Sequence, residues 1–320
     1  MEIPEKPEPS DCCNSGCNPC ILDIYERKLN EYNARKTKIN ANPILNNNIL
    51  KLTAYTTFKL ISAEPITSCV NLYTFEHPDP NANDVIKFIP GQYFILKGNF
   101  DNGEAIKLSR PYTPLICTYN NLKLIRNAQA ANELFFQIAV KMLPDGEMSQ
   151  YLKSLKLGDI TLWRGPYGDF NYKKLKLQYK FSTLVCFTQG IGIAPIFCII
   201  DSILADEIDE TIISLNCCFR DIESIIFRKE IQDFNQFWNF KSSIFLASQE
   251  KCDCIDICKC TYYSETIYKR RMQTHDIENI LKDKNLSECY FLICGNQTYC
   301  EIIESTLLNS QIIKHKIHVF

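Results

Sequence analysis

No apolar run in this 320-residue chain is long enough to cross a bilayer. The longest, Phe181 to Leu204, is broken by Thr188, Gln189, Gly190, Gly192, Pro195 and Asp201, short of the roughly 20 apolar residues that a spanning helix needs. A dominant charge sign is missing too. The 35 basic residues face 37 acidic ones, so no global field argues for nucleic acid. Histidine is scarce: His77, His275, His315 and His318 are scattered and give no metal triad, and no general-base triad is evident. The start, Met1 to Lys6, lacks a signal-peptide core and a Gly at position 2 for myristoylation. The expectation is a soluble, non-secreted, intracellular protein, cytoplasmic or peripheral to a membrane, with no transmembrane anchor.

Cysteine, by contrast, is abundant. Seventeen thiols without a secretory signal argue against a disulfide framework. Four lie in Asp11-Cys12-Cys13-Asn14-Ser15-Gly16-Cys17-Asn18-Pro19-Cys20, ahead of a helical spacing of apolar residues from Ile21 to Tyr32. Cys12, Cys13, Cys17 and Cys20 are candidate ligands for zinc or an iron–sulfur centre, against the alternative of a reduced helical cap or partner patch. Cys252, Cys254, Cys258 and Cys260 form a second cluster in an expected surface loop, read equally as a soft-metal chelate or an oxidisable insertion.

The chain divides into three parts: a Cys-rich segment over 1–40, a domain over 50–172 and another over 180–320. The middle part has short β-branched or aromatic segments punctuated by turns such as Pro90-Gly91 and Pro144-Asp145-Gly146, which predicts an antiparallel barrel or sandwich. The last part alternates strand-like runs (Thr183 to Phe187, Thr211 to Cys218, Ile244 to Ala247, Cys289 to Cys294) with helical ones, which predicts a doubly wound parallel sheet.

Four elements carry chemistry. In Arg110-Pro111-Tyr112-Thr113-Pro114, strand alternation places Arg110 and Tyr112 on one face, where a guanidinium meets a pyrophosphate and a phenol packs on a ring system. An edge strand with an exposed Arg explains the same five residues. Gly146-Glu147-Met148-Ser149 precedes an expected helix over Gln150 to Leu155 with Ser149 as its N-cap, and free amides at such a start suit an anion. Val140 and Lys141 end an apolar run beside it. Gly190 and Gly192 permit close backbone approach between strand and helix, with Pro195 in the first helical turn. Cys294-Gly295 ends the last long strand, where parallel sheets bind their ligands.

In this order, across a change from barrel to α/β, the elements resemble the ferredoxin-reductase superfamily and, within it, the NADH-cytochrome b5 reductase family. The resemblance runs from about Leu50 to Phe320. It is strongest over Leu134 to Phe170, where Val140-Lys141, Gly146 to Leu152 and Arg164-Gly165-Pro166-Tyr167-Gly168 follow the family in register. It implies a two-domain fold, an antiparallel FAD-binding β-barrel followed by a doubly wound nucleotide-binding sheet. It also implies FAD contacts at Arg110, Pro111, Tyr112, Thr113, Val140, Lys141, Gly146, Glu147, Met148 and Ser149. Gly190, Gly192, Pro195, Cys294 and Gly295 are implied for the nicotinamide nucleotide. Thr113 is implied beside flavin N5, Tyr112 against the ring and Cys294 near the nicotinamide. Residues 1–40 resemble the short oxidoreductase-like N-terminal domain.

The implied activity is hydride transfer from NADH to FAD, with NADPH left open, and then single electrons to an acceptor protein such as cytochrome b5. Three positions depart from the family pattern. Gln189 replaces a glycine, Ala194 lacks a hydroxyl, and Asn296 stands where Cys-Gly-Pro has its proline. They motivate a rival reading: an FAD-bearing or Cys-mediated interaction module with impaired nicotinamide turnover.

Overall fold

The computed structural model describes residues 4, 6–8, 11, 20–36, 48–79, 85–100, 106–115, 118–120, 123–125, 134–248 and 265–320. The chain separates into two compact units, Met1–Glu64 with Asn71–Phe170, and Pro65–Val70 with Asn171–Phe320.

The first unit holds α1 (Ile21–Lys36), β1 (Thr56–Thr67), β2 (Val70–Glu76), β3 (Tyr93–Phe100), β4 (Ile106–Tyr112), β5 (Pro114–Leu115), β6 (Thr118–Asn120), β7 (Lys123–Ile125), β8 (Phe135–Lys141), α2 (Glu147–Ser154) and β9 (Ile160–Tyr167). Seven of the strands form one sheet in the order β4-β3-β9-β1-β2-β8-β5. Its two end strands, β4 and β5, are consecutive in the chain, so Thr113 alone joins one edge of the sheet to the other and the sheet curls into a barrel. The predicted antiparallel domain is therefore present. Pro111, opposite Ile95, and Pro114, opposite Ile138, sit in these end strands, where a missing ladder donor costs least. The interior is aromatic: Phe58, Phe75, Phe94 and Trp163 are each fully buried, with Phe136 wedged edge-on against Phe58, Phe94 and Trp163.

The second unit holds α3 (Tyr172–Tyr179), β10 (Thr183–Gln189), α4 (Ile193–Leu204), β11 (Ile212–Phe219), α5 (Arg228–Phe234), β12 (Phe240–Leu246), β13 (Ile267–Tyr268), α6 (Thr274–Lys282), β14 (Cys289–Cys294), α7 (Gln297–Asn309) and β15 (Ile317–Val319). Its sheet runs β13-β12-β11-β10-β14-β15, every neighbour pair parallel. Leu184 to Phe187 and Phe291 to Ile293 are buried without alternation, as expected for strands covered on both faces. The sheet grows one way from β10 through β11 and the other way through β14, so the topological switch point falls between β10 and β14. Among the described residues, no helix is long and apolar enough to cross a membrane.

Candidate functional site

In the first unit the candidate flavin residues lie on β4 and the joint after it, at the end of β8, and at the start of α2. Arg110 and Tyr112 do share a face of β4. Tyr112 packs beside Trp163 with ring centroids 6.1 Å apart, and burial pushes its phenol pKa up, only partly offset by Arg110. The Arg110 guanidinium donates to the Ser109 carbonyl at 2.8 Å. Thr113 occupies the joint between β4 and β5, so it escapes the strict alternation that would turn it away.

Helix α2 lies across β3 and β4. Gly98 on β3 allows the approach: a Cβ there would meet the Met148 methyl and the Tyr151 ring, each at 3.3 Å. Sequence reading passed over this glycine, although an isolated Gly inside a strand signals close packing. One expectation is corrected. The N-cap of α2 is Gly146, and Ser149 lies inside the helix. The Ser149 hydroxyl accepts from the Leu143 amide at 3.0 Å, holding the preceding turn against the helix start. Met148 and Val140 point into the barrel core, whereas Lys141 and Glu147 are exposed. The Arg110 guanidinium and the free amides at the start of α2 are donor types that suit a pyrophosphate.

In the second unit the two predicted turns meet at the switch point. Thr188 on β10 pairs with Cys294 on β14, so Gly190–Gly192, a 3-10 turn leading into α4, stands beside Cys294-Gly295. A Cβ at Gly192 would lie 2.5 Å from the Cys294 carbonyl oxygen, and one at Gly295 would lie 2.5 Å from the Tyr299 ring. Gly190 has φ +55 with open space around it, so conformation alone calls for glycine there. Pro195 sits in the first turn of α4, as predicted. The turns stand at the strands' carboxyl ends, where open parallel sheets bind their ligands; Gly192 and Gly295 let the two turns pack closely, and Gly190 borders open space.

Two of the three departures also meet here. The Gln189 Oε1 accepts from the Asn296 amide at 3.2 Å, and the Asn296 side chain caps α7 by accepting from the Tyr299 amide at 2.8 Å. A proline at 296 has no amide to give, and a glycine at 189 has no acceptor, so the two substitutions suit each other. Sequence reading named both but did not pair them. Tyr299, which it missed, donates its hydroxyl to the Thr188 carbonyl at 3.3 Å.

Burial pushes the Cys294 thiol up to about 12, with Cys300 adding to it. At pH 7 the site then holds about a thousandfold less thiolate than an ordinary cysteine. Cys294 is expected to resist iodoacetamide at neutral pH in the folded protein and to react on unfolding, measured by mass spectrometry of the labelled peptide. It shapes the turn as a neutral thiol. Of the N-terminal cysteines, Cys12, Cys13 and Cys17 lie outside the described residues, as do Cys252 to Cys260. Among the described residues there is no group of three or more potential ligands able to hold a metal.

Comparison with known proteins agrees with this geometry. Residues 57–172 match the family described as oxidoreductase FAD-binding domain, and residues 1–41 match oxidoreductase-like protein, N-terminal. A Homo sapiens protein named NADH-cytochrome b5 reductase-like is 29% identical, covering 99% of this chain and 94% of the relative. The solved CS-b5R domains of human Ncb5or, in an NAD+ form, superpose with TM-score 0.68 at 20% identity, over 83% of this chain and 69% of that one. A Neisseria gonorrhoeae ferredoxin NADP+ reductase with bound FAD and NADP superposes with TM-score 0.62 at 17% identity, over 83% and 98%. A barrel that matches an oxidoreductase FAD-binding domain, a parallel sheet with its glycine turns at the switch point and a segment that matches an oxidoreductase-like N-terminus thus occur in one chain, whose two-domain fold is that of ferredoxin-reductase-like structures and whose sequence is similar to NADH-cytochrome b5 reductase-like proteins.

Proposed function

We propose that the protein is a flavoprotein reductase that takes hydride from NADH or NADPH and delivers single electrons to an acceptor protein of the cytochrome b5 kind. The observation that supports this reading is the pair of turns at the switch point, where Gly192 leaves no room for a side chain against Cys294 at the strands' carboxyl ends, the place where open parallel sheets take their ligands. Bound FAD supplies the conversion of a two-electron hydride into one-electron steps. The chain's own residues bind and orient. Arg110 and the α2 start hold the pyrophosphate, Tyr112 supports the ring system, and Thr113 offers a hydroxyl at the barrel seam. Gly190, Gly192, Pro195 and Gly295 shape the nucleotide turns, and Cys294 fills the space between them as a neutral thiol.

A second reading is favoured by the Gln189–Asn296 hydrogen bond, which ties one turn to the other at 3.2 Å. On this reading the chain carries FAD but turns over nicotinamide nucleotides poorly and works as an interaction module. Anaerobic mixing of the flavin-loaded protein with NADH and then NADPH separates the two. Bleaching of the flavin band within seconds by either nucleotide supports the reductase. A band that persists with both sinks the reductase reading and leaves the module. The nucleotide that bleaches faster also sets the preference between the two donors.

A further inference from the structure

The segment matched over residues 1–41 and the domain matched over 57–172 share a buried ion pair. The Arg164 guanidinium on β9 lies 3.5 Å from the Asp11 carboxylate, with the two side chains 3% and 6% exposed. Its Nε and Nη2 find no hydrogen-bond partner among the described residues, and the group stands 4.3 Å over the Tyr55 ring, with Lys97 Nζ 4.9 Å from the same ring. The Tyr55 hydroxyl donates to Asp11 Oδ1 at 3.2 Å and lies 3.4 Å from the Ser109 hydroxyl. The second Asp11 oxygen accepts from the Glu8 amide at 2.9 Å. The Asp11 carboxylate and the Arg164 guanidinium thus meet beside a tyrosine whose ring also has the Lys97 ammonium against it.

Strand register explains why they meet. Arg164 pairs with Ile95, and Lys97 pairs with Ser109, so all four lie on one face of β9, β3 and β4. Trp163, Leu96 and Leu108 point the other way, into the barrel core. The same outer face receives α1, whose Ile21 and Ile24 pack on Ile95 and Tyr167, and the Tyr167 hydroxyl donates to the Leu52 carbonyl. Alternation alone buries a guanidinium on a face that would otherwise be half apolar, and a buried cation without a counter-charge is strongly unfavourable.

We infer that the outer face of β9, β3 and β4 is a docking surface for the chain's own N-terminal segment, with Arg164 as the receptor and the Asp11 carboxylate as the latch. The inference needs neither flavin nor nucleotide, so it stands or falls apart from the proposed activity. Its test uses the full chain with D11A, D11N, R164M and the D11A/R164M pair, read by hydrogen exchange of the Ile21 to Arg27 peptide and by thermal midpoint. D11A and D11N are both expected to speed exchange in that peptide at least about tenfold and to lower the midpoint by several degrees. D11N retains the shape, so its effect isolates the charge. The double variant is expected to lose less than the sum of the single losses, because removing both charges spares the orphaned guanidinium. Should R164M alone fail to fold, D11N and the double variant still decide. Unchanged exchange in both Asp11 variants, or strict additivity in the double, overturns the latch.

Discussion

Gly192→Ala is expected to weaken nucleotide binding, raising the Kd for NAD+ about 5- to 150-fold. The reason is steric and local. The new Cβ would lie 2.5 Å from the Cys294 carbonyl oxygen and 2.8 Å from its carbon, and both are backbone atoms that cannot rotate away. The methyl group must therefore push the β14 turn from the β10 turn. Overpacking of this kind costs about 1–3 kcal/mol, occasionally more, and that cost falls on the amides that would face the nucleotide. Gly190→Ala is the internal control. Nothing stands within 4 Å of its Cβ position, but φ is +55, so the change costs about 1–2 kcal/mol of stability through the backbone alone, and contacts at the neighbouring turn survive. Titration calorimetry with NAD+ and a thermal melt separate the two: Gly192→Ala loses affinity, and Gly190→Ala loses mainly midpoint. Wild-type affinity in Gly192→Ala would remove the cradle from the nucleotide site.

The second unit was legible because its strands are continuous apolar runs with glycine turns between them. Burial on both faces leaves the sequence little freedom there, and β14 spans Cys289–Cys294, as its residues predicted. What escaped has physical causes. Helix α3 was not foreseen because it lacks an apolar stripe; Leu177 is 80% exposed. Its order comes from the Asn171 side chain accepting from the Lys174 amide at 3.0 Å and from long-range bonds. Tyr172 donates to Asp209 at 2.8 Å, and Lys176 reaches Thr211 at 2.7 Å. Ser149 was misplaced because a serine before an apolar run reads as a cap, whereas its hydroxyl reaches back to Leu143. The Asp11 partnership with Arg164 joins residues far apart in the chain, and only strand register brings such charges together. The same holds for Gln189 with Asn296.

Arg110→Met is expected to weaken FAD binding about 10- to 100-fold. That is the loss of charge-assisted hydrogen bonds worth about 1.5–3 kcal/mol. The position makes the case for a ligand role. Arg110 lies on the end strand β4, one residue before Pro111 and opposite Leu96, and stays partly exposed. Its side chain shares a face with Tyr112, and α2 crosses β3 and β4 beside it, closely packed over Gly98. A planar guanidinium on β4 and the unpaired amides at the start of α2, a helix packed on that strand, both favour an anion. Arg110→Lys retains the charge but not the fork, so it should fall between wild type and Arg110→Met. Salt sharpens the test. The wild-type Kd for FAD should rise with ionic strength, while that of Arg110→Met should rise less, because the lost contact is the screened one. Flavin fluorescence recovered on dilution measures both. If Arg110→Met binds FAD within about twofold of wild type, the seam of the barrel does not grip the pyrophosphate, and the bland account of Arg110 to Pro114 as a proline-marked edge strand is the correct one.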